Sequence, residues 1–361
     1  MILACGSIRN PAYVPTNYQT FLLTVFIMLL HSVMASLPTK RIAQINSAGS
    51  TFNIVALVVV VILIPAACDR VSRGMSKFNA SGAVWGDIYD GAPWPAGIRV
   101  LMSFVGCAWT MSGYDSPYHL AEECSNANIA SPRAIVLTSA VGGTAGWFLQ
   151  LVVAYTVVDI TAALNDPVGQ PFAGYLIQCL SNDTAIAVLA LTIIAGFAMG
   201  QGCMVAASRV TFAYSRDDCF PFSSIWKQVN ETTKTPVNAV WFNSVIGCLV
   251  LLLIFAGGAA IDAIFSIGAL AAFFAFTLPI FIRVFFVGHR FRAGPWNLGR
   301  ASIPIGVVAS AFVLLMIPIL CFPWSVGEDM TPADFNWTCL VWGGPMVSLQ
   351  TRSRRSCLGS S

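Results

Sequence analysis

Eight apolar stretches, each about as long as a bilayer is thick, dominate this sequence and leave few folds open to it. A helix needs about 20 mainly apolar residues to cross about 30 Å of hydrocarbon. The pattern predicts spans at 18–36, 47–67, 97–121, 134–160, 184–207, 237–255, 261–287 and 303–322. The rest of the composition agrees: 57% of the 361 residues are hydrophobic and only 10% are charged. Soluble domains carry about a quarter charged residues, so this chain cannot cover itself with a water-facing surface. The expected fold class is an all-α, multi-pass integral membrane protein. A ninth apolar stretch begins near Trp337 but stops too soon to span, and residues 348–361 form a basic, Ser-rich tail. The opening MILACGSIRNPAYVPTNYQT lacks the basic start of a secretory signal and reads as the tail of an earlier helix joined to a loop.

The basic residues orient the spans, because cytoplasmic loops are enriched in Lys and Arg. If the first span runs from outside to inside, alternate loops hold eleven of them: Lys40 and Arg41; Arg133; Arg209, Arg216, Lys227 and Lys234; and Arg283, Arg290, Arg292 and Arg300. The opposite side holds five, Arg9, Arg70, Arg73, Lys77 and Arg99, and its later loops are acidic. The sequons at Asn79, Asn182 and Asn336 fall outside, where glycosylation occurs, and the one at Asn230 falls inside. The net charge of +3 carries no nucleic-acid footprint. The eleven cysteines are scattered, with no metal spacing among them. Cys68, Cys179 and Cys339 fall in or near outer loops, where a disulfide is an option.

The third span is the most informative. GIRVLMSFVGCAWTMSGYDSPYHLAEE is interrupted by Ser112-Gly113-Tyr114-Asp115-Ser116-Pro117. Gly weakens a helix interior by about 1 kcal/mol and Pro by about 3 kcal/mol. An Asp at mid-depth costs about 2.5–3.5 kcal/mol on insertion scales. Together they point to a broken helix lining a wet cavity, where freed main-chain groups bind a charged solute or ion. A plain Pro kink, with Asp115 bonded to a neighbouring helix, is the blander reading of the same residues.

SGYDSPYHLAEECSNANIASPRAI resembles the sixth helix and following loop of fungal amino-acid/choline permeases, including the GABA type, of the amino acid–polyamine–organocation superfamily. LPTKRIAQINSAGSTFNIVAL is similar to the entry and body of that family's helix five. MGQGCMVAASRVTFAYSRDDCFPFS is similar to its helix eight, and TKTPVNAVWFNSV to the start of helix nine. The resemblance covers residues 1–347 and implies a five-plus-five inverted repeat of twelve helices working by alternating access. On that footing these spans are helices four to eleven, helices one to three are absent, and helix twelve is cut short. The family's helix one holds the substrate carboxylate opposite the break in helix six.

The resemblance assigns substrate binding to Ser112, Gly113, Tyr114 and Asp115. The backbone of Ser112 and Gly113 would face an amine, Tyr114 would offer a ring to a cationic head, and Asp115 would be a counter-charge or a packing lock. Trp109, one turn earlier, is a further lining residue; ordinary helix packing is the alternative for each. Glu122 is a gate candidate, with Arg133 or Arg209 as partner, whereas Glu123 reads as a solvated end charge. Gln201 and Ser266 are candidates for the cavity. Gly142-x-x-x-Gly146 and Gly196-x-x-x-Gly200 read as packing motifs. Arg209, Arg216, Asp217 and Asp218 read as a solvated face continuing helix eight. His31, His119 and His289 form no metal or triad pattern, and no phosphate-binding loop appears. The expected function is secondary transport of an amino acid or related amine (GABA, choline) across the plasma membrane, run on an ion gradient with H+ as the candidate coupling ion or by exchange, with no cofactor. A non-transporting membrane fragment that partners full-length permeases is the alternative, and an enzyme is not expected.

Overall fold

The computed structural model describes residues 1–89, 91–166, 169–256, 258–323, 336–338, 340 and 343. Among the described residues every regular element is helical. The α-helices are α1 (Ile2–Arg9), α2 (Asn17–Ala35), α3 (Thr39–Ala66), α4 (Ser81–Gly86), α5 (Ala96–Thr110), α6 (Ser116–His119), α7 (Ala127–Thr156), α8 (Ile160–Leu164), α9 (Pro171–Cys179), α10 (Asn182–Arg216), α11 (Ser223–Trp226), α12 (Val237–Leu251), α13 (Gly258–Ile282) and α14 (Ser302–Leu320). Seven helical stretches among the described residues are long and apolar enough to cross a membrane. They match seven of the eight expected spans. The third, expected to run through 97–121, is a 15-residue helix that stops at Thr110.

Other boundaries differ in an instructive way. α3 starts at Thr39, well before the expected 47, and α7 starts at Ala127 rather than 134. Pro132 sits in the sixth position of α7, so the expected loop around it is helical. α10 runs for 35 residues, to Arg216. Its ends are well made: the Ser181 hydroxyl caps Thr184 N, Asp183 lies in the first turn and Arg216 in the last, each matching the helix dipole.

The chain divides into two compact units. The first holds Met1–Asp87, Gly113–Ser125 and Ile135–Leu252. Here α10 packs against α2, α3 and α12. The α3–α10 seam is antiparallel: Gly49 lies against Ala198, and the Asn53 amide, turned to donate, reaches Ala195 O at 3.2 Å. Two turns further on, Ile42 and Val205 share a buried cluster with Ala35 and Val240. A Cβ on Gly49 would stand 2.8 Å from the Ala198 methyl, and one on Gly200 2.7 Å from the His31 ring. These two glycines therefore set how closely α3 and α2 approach α10. Gly142 and Gly196 have nothing within 4 Å, so the expected packing role falls to Gly200 in the second motif. Polar pairs tie the helices further: Ser32 with Ser244, and Thr211 with Asn243 at 3.0 Å. Such bonds hold helices together where lipid gives them no hydrophobic reason to associate.

At the other end of this unit, Ile64, Leu176, Leu180, Val188 and Leu189 form a fully buried core. Arg73 closes the end of α9, donating to the carbonyls of Ile177, Gln178 and Leu180. Cys68 and Cys179 lie in this core as free thiols. The disulfide that was an option is therefore not formed between them, and burial pushes the Cys179 thiol up to about 11; Cys339 lies outside the described residues. The Asn79 sequon is also engaged: its side-chain amide donates to Ala154 O and Val157 O and closes the end of α7. Asn182, the first residue of α10, stays exposed.

The second unit holds Ile88–Ser112, Asn126–Ala134 and the described residues from Leu253 onward. α5, α13 and α14 meet around Met102, Leu270, Met316, Ile319 and Leu320. Phe104 and Phe312 pack edge to face at 5.8 Å, and Trp94 stacks on Phe322 at 5.0 Å. The Asn336 amide donates to Leu320 O and Phe322 O. It closes the end of α14 just as Asn79 closes α7, and neither amide is free for a glycan. The tail at 348–361 lies outside the described residues.

Candidate functional site: an interrupted helix and a charged cavity

The interruption after α5 is built from three adjacent causes. The last turn tightens, with Ser112 N donating to Trp109 O at 3.0 Å. Gly113 then adopts φ +88°, a conformation that side chains rarely reach. A Cβ there would find only Ser116 Oγ, 4.0 Å away; the backbone angle demands glycine, not a lack of space. In an unbroken helix the Gly113 carbonyl would accept from residue 117, but Pro117 has no N–H to give. Ser116 answers twice instead, donating to Gly113 O from its N at 3.1 Å and from its Oγ at 2.8 Å. Pro117 was expected to break a helix interior. It sits in the first turn of α6, where its fixed φ suits a helix start.

Of the residues expected to bind substrate, Trp109 and Ser112 belong to the second unit, and Gly113, Tyr114 and Asp115 to the first. Ser112 and Gly113 are exposed, while Tyr114 and Asp115 are half-buried. The Trp109 ring lies against Gly268 of α13, where an added Cβ would stand 3.7 Å from it. The structure thus brings Trp109 against Gly268, two residues along α13 from Ser266. The Ser266 side chain lies outside the described residues. Asp115 Oδ2 lies 2.7 Å from His119 Nε2, one turn along. The pairing was missed, although the i, i+4 spacing pointed to it.

Gln201 does not face an open cavity. It is 1% exposed on α10, and the antiparallel register of the seam sets it opposite Asn46. Among the described residues neither Gln201 amide atom, nor Asn46 Oδ1, has a hydrogen-bond partner.

The glutamates after α6 are both exposed and both paired. Glu123, expected to be a solvated end charge, is exposed and also accepts from Arg209 Nε at 2.7 Å. Arg209, expected on a solvated face, is 6% exposed. Glu122 pairs with neither Arg133 nor Arg209; both its oxygens accept from Arg216, each at 2.9 Å. The seven-residue period between Arg209 and Arg216 puts both cations on one face of α10. Two adjacent carboxylates on the short 3-10 turn Ala121–Glu123 meet them. Asp217 and Asp218 are exposed, as expected.

Beside these pairs is a cavity of about 490 Å³, wholly within the first unit. Its polar wall is made by His119, Glu122, Glu123, Arg209 and Lys234, and Tyr118 stands beside them. Its apolar wall includes Val210, Phe212, Val229 and Pro236. Lys234 is held at φ +58° in a loop closed by Lys234 N to Asn230 O and Asn230 N to Thr235 O. Among the described residues no group of three or more His, Cys, Asp or Glu is placed to hold a metal ion.

A family model described as amino acid permease matches residues 1–345. The chain belongs to the amino acid permease family. It is therefore an integral multi-pass membrane protein, in keeping with the seven long apolar helices among its described residues. Among relatives of this permease, an uncharacterised amino-acid permease of Schizosaccharomyces pombe is 54% identical over 349 residues, covering 96% of this chain and 64% of the relative. A Candida albicans protein with the provisional name polyamine transporter is 51% identical, covering 95% of this chain and 63% of its own length. Amino-acid permease 2 of Neurospora crassa is 29% identical, covering 95% and 62%. The permease chain thus spans less than two thirds of the length of the curated relatives it matches.

Proposed function

We propose that this permease is a secondary transporter that moves amino acids or related amines, GABA and choline among them, across the plasma membrane by alternating access. The observation that carries the proposal is the interruption at 112–115: a left-handed glycine, a half-buried carboxylate and an aromatic ring within a few residues. At membrane depth such a break is tolerated where it lines a water-filled path. Ser112, Gly113, Tyr114, Asp115 and Trp109 would contact the solute, with Glu122 in the gate and H+ as the coupling ion. In this reading the helices are the fourth to the eleventh of a twelve-helix, five-plus-five inverted repeat.

The test is cysteine substitution at 112, 114 and 115, followed by labelling with a charged, membrane-impermeant thiol reagent. The expected result is modification from one aqueous side, slowed by a bound amino acid. Positions closed to reagent from both sides would end the proposal. A second reading is a non-transporting membrane protein that partners full-length permeases. Uptake of radiolabelled amino acids or choline by this chain alone, reconstituted in vesicles, decides against that reading.

A further inference from the structure

We propose that the charged cavity beside α6 and α10 is a second solute site, shaped for a small zwitterion, with Lys234 as the anchor for its carboxylate. The choice of ligand class rests on the transport reading; the cavity and its charges do not. At about 490 Å³ the space is large enough for a small amino acid with its first water shell.

The lining selects by charge. Glu122 and Glu123 oppose a simple anion, while Arg209 and Lys234 oppose a simple amine or a polyamine. A molecule with a carboxylate at one end, an ammonium at the other and a short apolar body meets all three parts of the wall, since Val210, Phe212 and Val229 supply the apolar face. Arg209 and Arg216 are already engaged by Glu123 and Glu122. Lys234 has no acidic partner among the described ion pairs, so it is the cation open to a ligand. At φ +58° a glycine would sit with less strain, yet the chain carries a long ammonium side chain there.

Two consequences follow from the geometry. The ammonium end of the ligand would share the carboxylates of Glu122 and Glu123 with the two arginines, loosening the contact between the 121–123 turn and α10. Occupancy of the cavity would then be linked to movement of the segment that follows the interruption.

The experiment uses the whole chain in lipid nanodiscs and equilibrium binding of radiolabelled 4-aminobutyrate, with unlabelled butyrate, butylamine and choline as competitors. Expected for the wild type is displacement by unlabelled 4-aminobutyrate and weak displacement by each single-charge analogue. Lys234→Gly relieves the strained φ and removes the ammonium, so it should keep or raise the melting temperature while weakening binding about tenfold. Lys234→Arg keeps the charge and should bind within about threefold of wild type. Unchanged binding by Lys234→Gly overturns the proposal, as do a wild type that binds no 4-aminobutyrate and butylamine competing as well as 4-aminobutyrate. Binding lost with Asp115→Asn but kept with Lys234→Gly would place the ligand at the interruption and overturn the proposal. Thiol labelling at 112–115 reads the solute path on its own, so a failure there leaves the Lys234 result standing.

Discussion

α10 and the α5–α6 segment begin from similar material and end differently. Both are apolar stretches containing glycines and a polar residue, yet α10 stays helical for 35 residues while α5 stops after 15. Gly196, Gly200 and Gly202 leave the hydrogen-bond ladder of α10 intact, because a glycine weakens a helix without removing a donor. The other segment pairs a glycine with a proline four residues later, so one carbonyl loses its regular partner and the chain turns at φ +88°. The number of glycines does not decide between the two outcomes. What matters is whether a missing N–H falls opposite a residue free to leave the helical region.

The comparison can be broken most strongly at the contact joining the two regions. Arg209→Ala removes a buried guanidinium with its hydrogen bonds to Glu123 and Ser208, and thermal unfolding in detergent should show a loss of about 3 kcal/mol from the charge-assisted bond and the lost packing of its stem. A loss near zero would mean the pair does not hold the 121–123 turn. Next comes Gly200→Ala in the continuous helix: the new methyl would meet the His31 ring at 2.7 Å. A destabilisation of about 2 kcal/mol is expected from overpacking. Glycine itself gives a smaller and more pointed contrast. Gly113→Ala should destabilise by about 1 kcal/mol through its φ, whereas Gly196→Ala, with nothing within 4 Å, should stabilise by about 0.5 kcal/mol. Changes of the same sign at both positions would erase the distinction drawn above. The smallest effect belongs to Glu122→Gln, whose partner Arg216 is half exposed. Its melting temperature should match wild type at physiological salt and separate from it only at low ionic strength.

The sequence made much of this legible for physical reasons. Span length is a demand of the bilayer, so seven helices could be placed from apolar runs alone. The interruption was readable because Gly113, Asp115 and Pro117 each carry a local penalty inside a membrane helix. Helix ends were less readable. Pro132 looked like a loop residue, but the helix runs through it, and the amphipathic start of α3 blended into its loop. Contacts across the chain were the hardest. Arg209 meets Glu123 from 86 residues away, and nothing local distinguishes that cation from a solvated one. The Asn79 and Asn336 motifs read as glycan acceptors, although their amides close helix ends. The left-handed turn at Lys234 leaves no mark in composition at all.

The length of α10 has a mechanical consequence. Thirty-five residues make a rod of about 52 Å, while the hydrocarbon layer it crosses is about 30 Å thick. An upright helix therefore leaves some 20 Å clear of the acyl chains, and a tilted one less. Whichever end projects, tilting this rod by a few degrees sweeps its tip sideways through water, and the carboxylates clipped to its last two turns are carried with it.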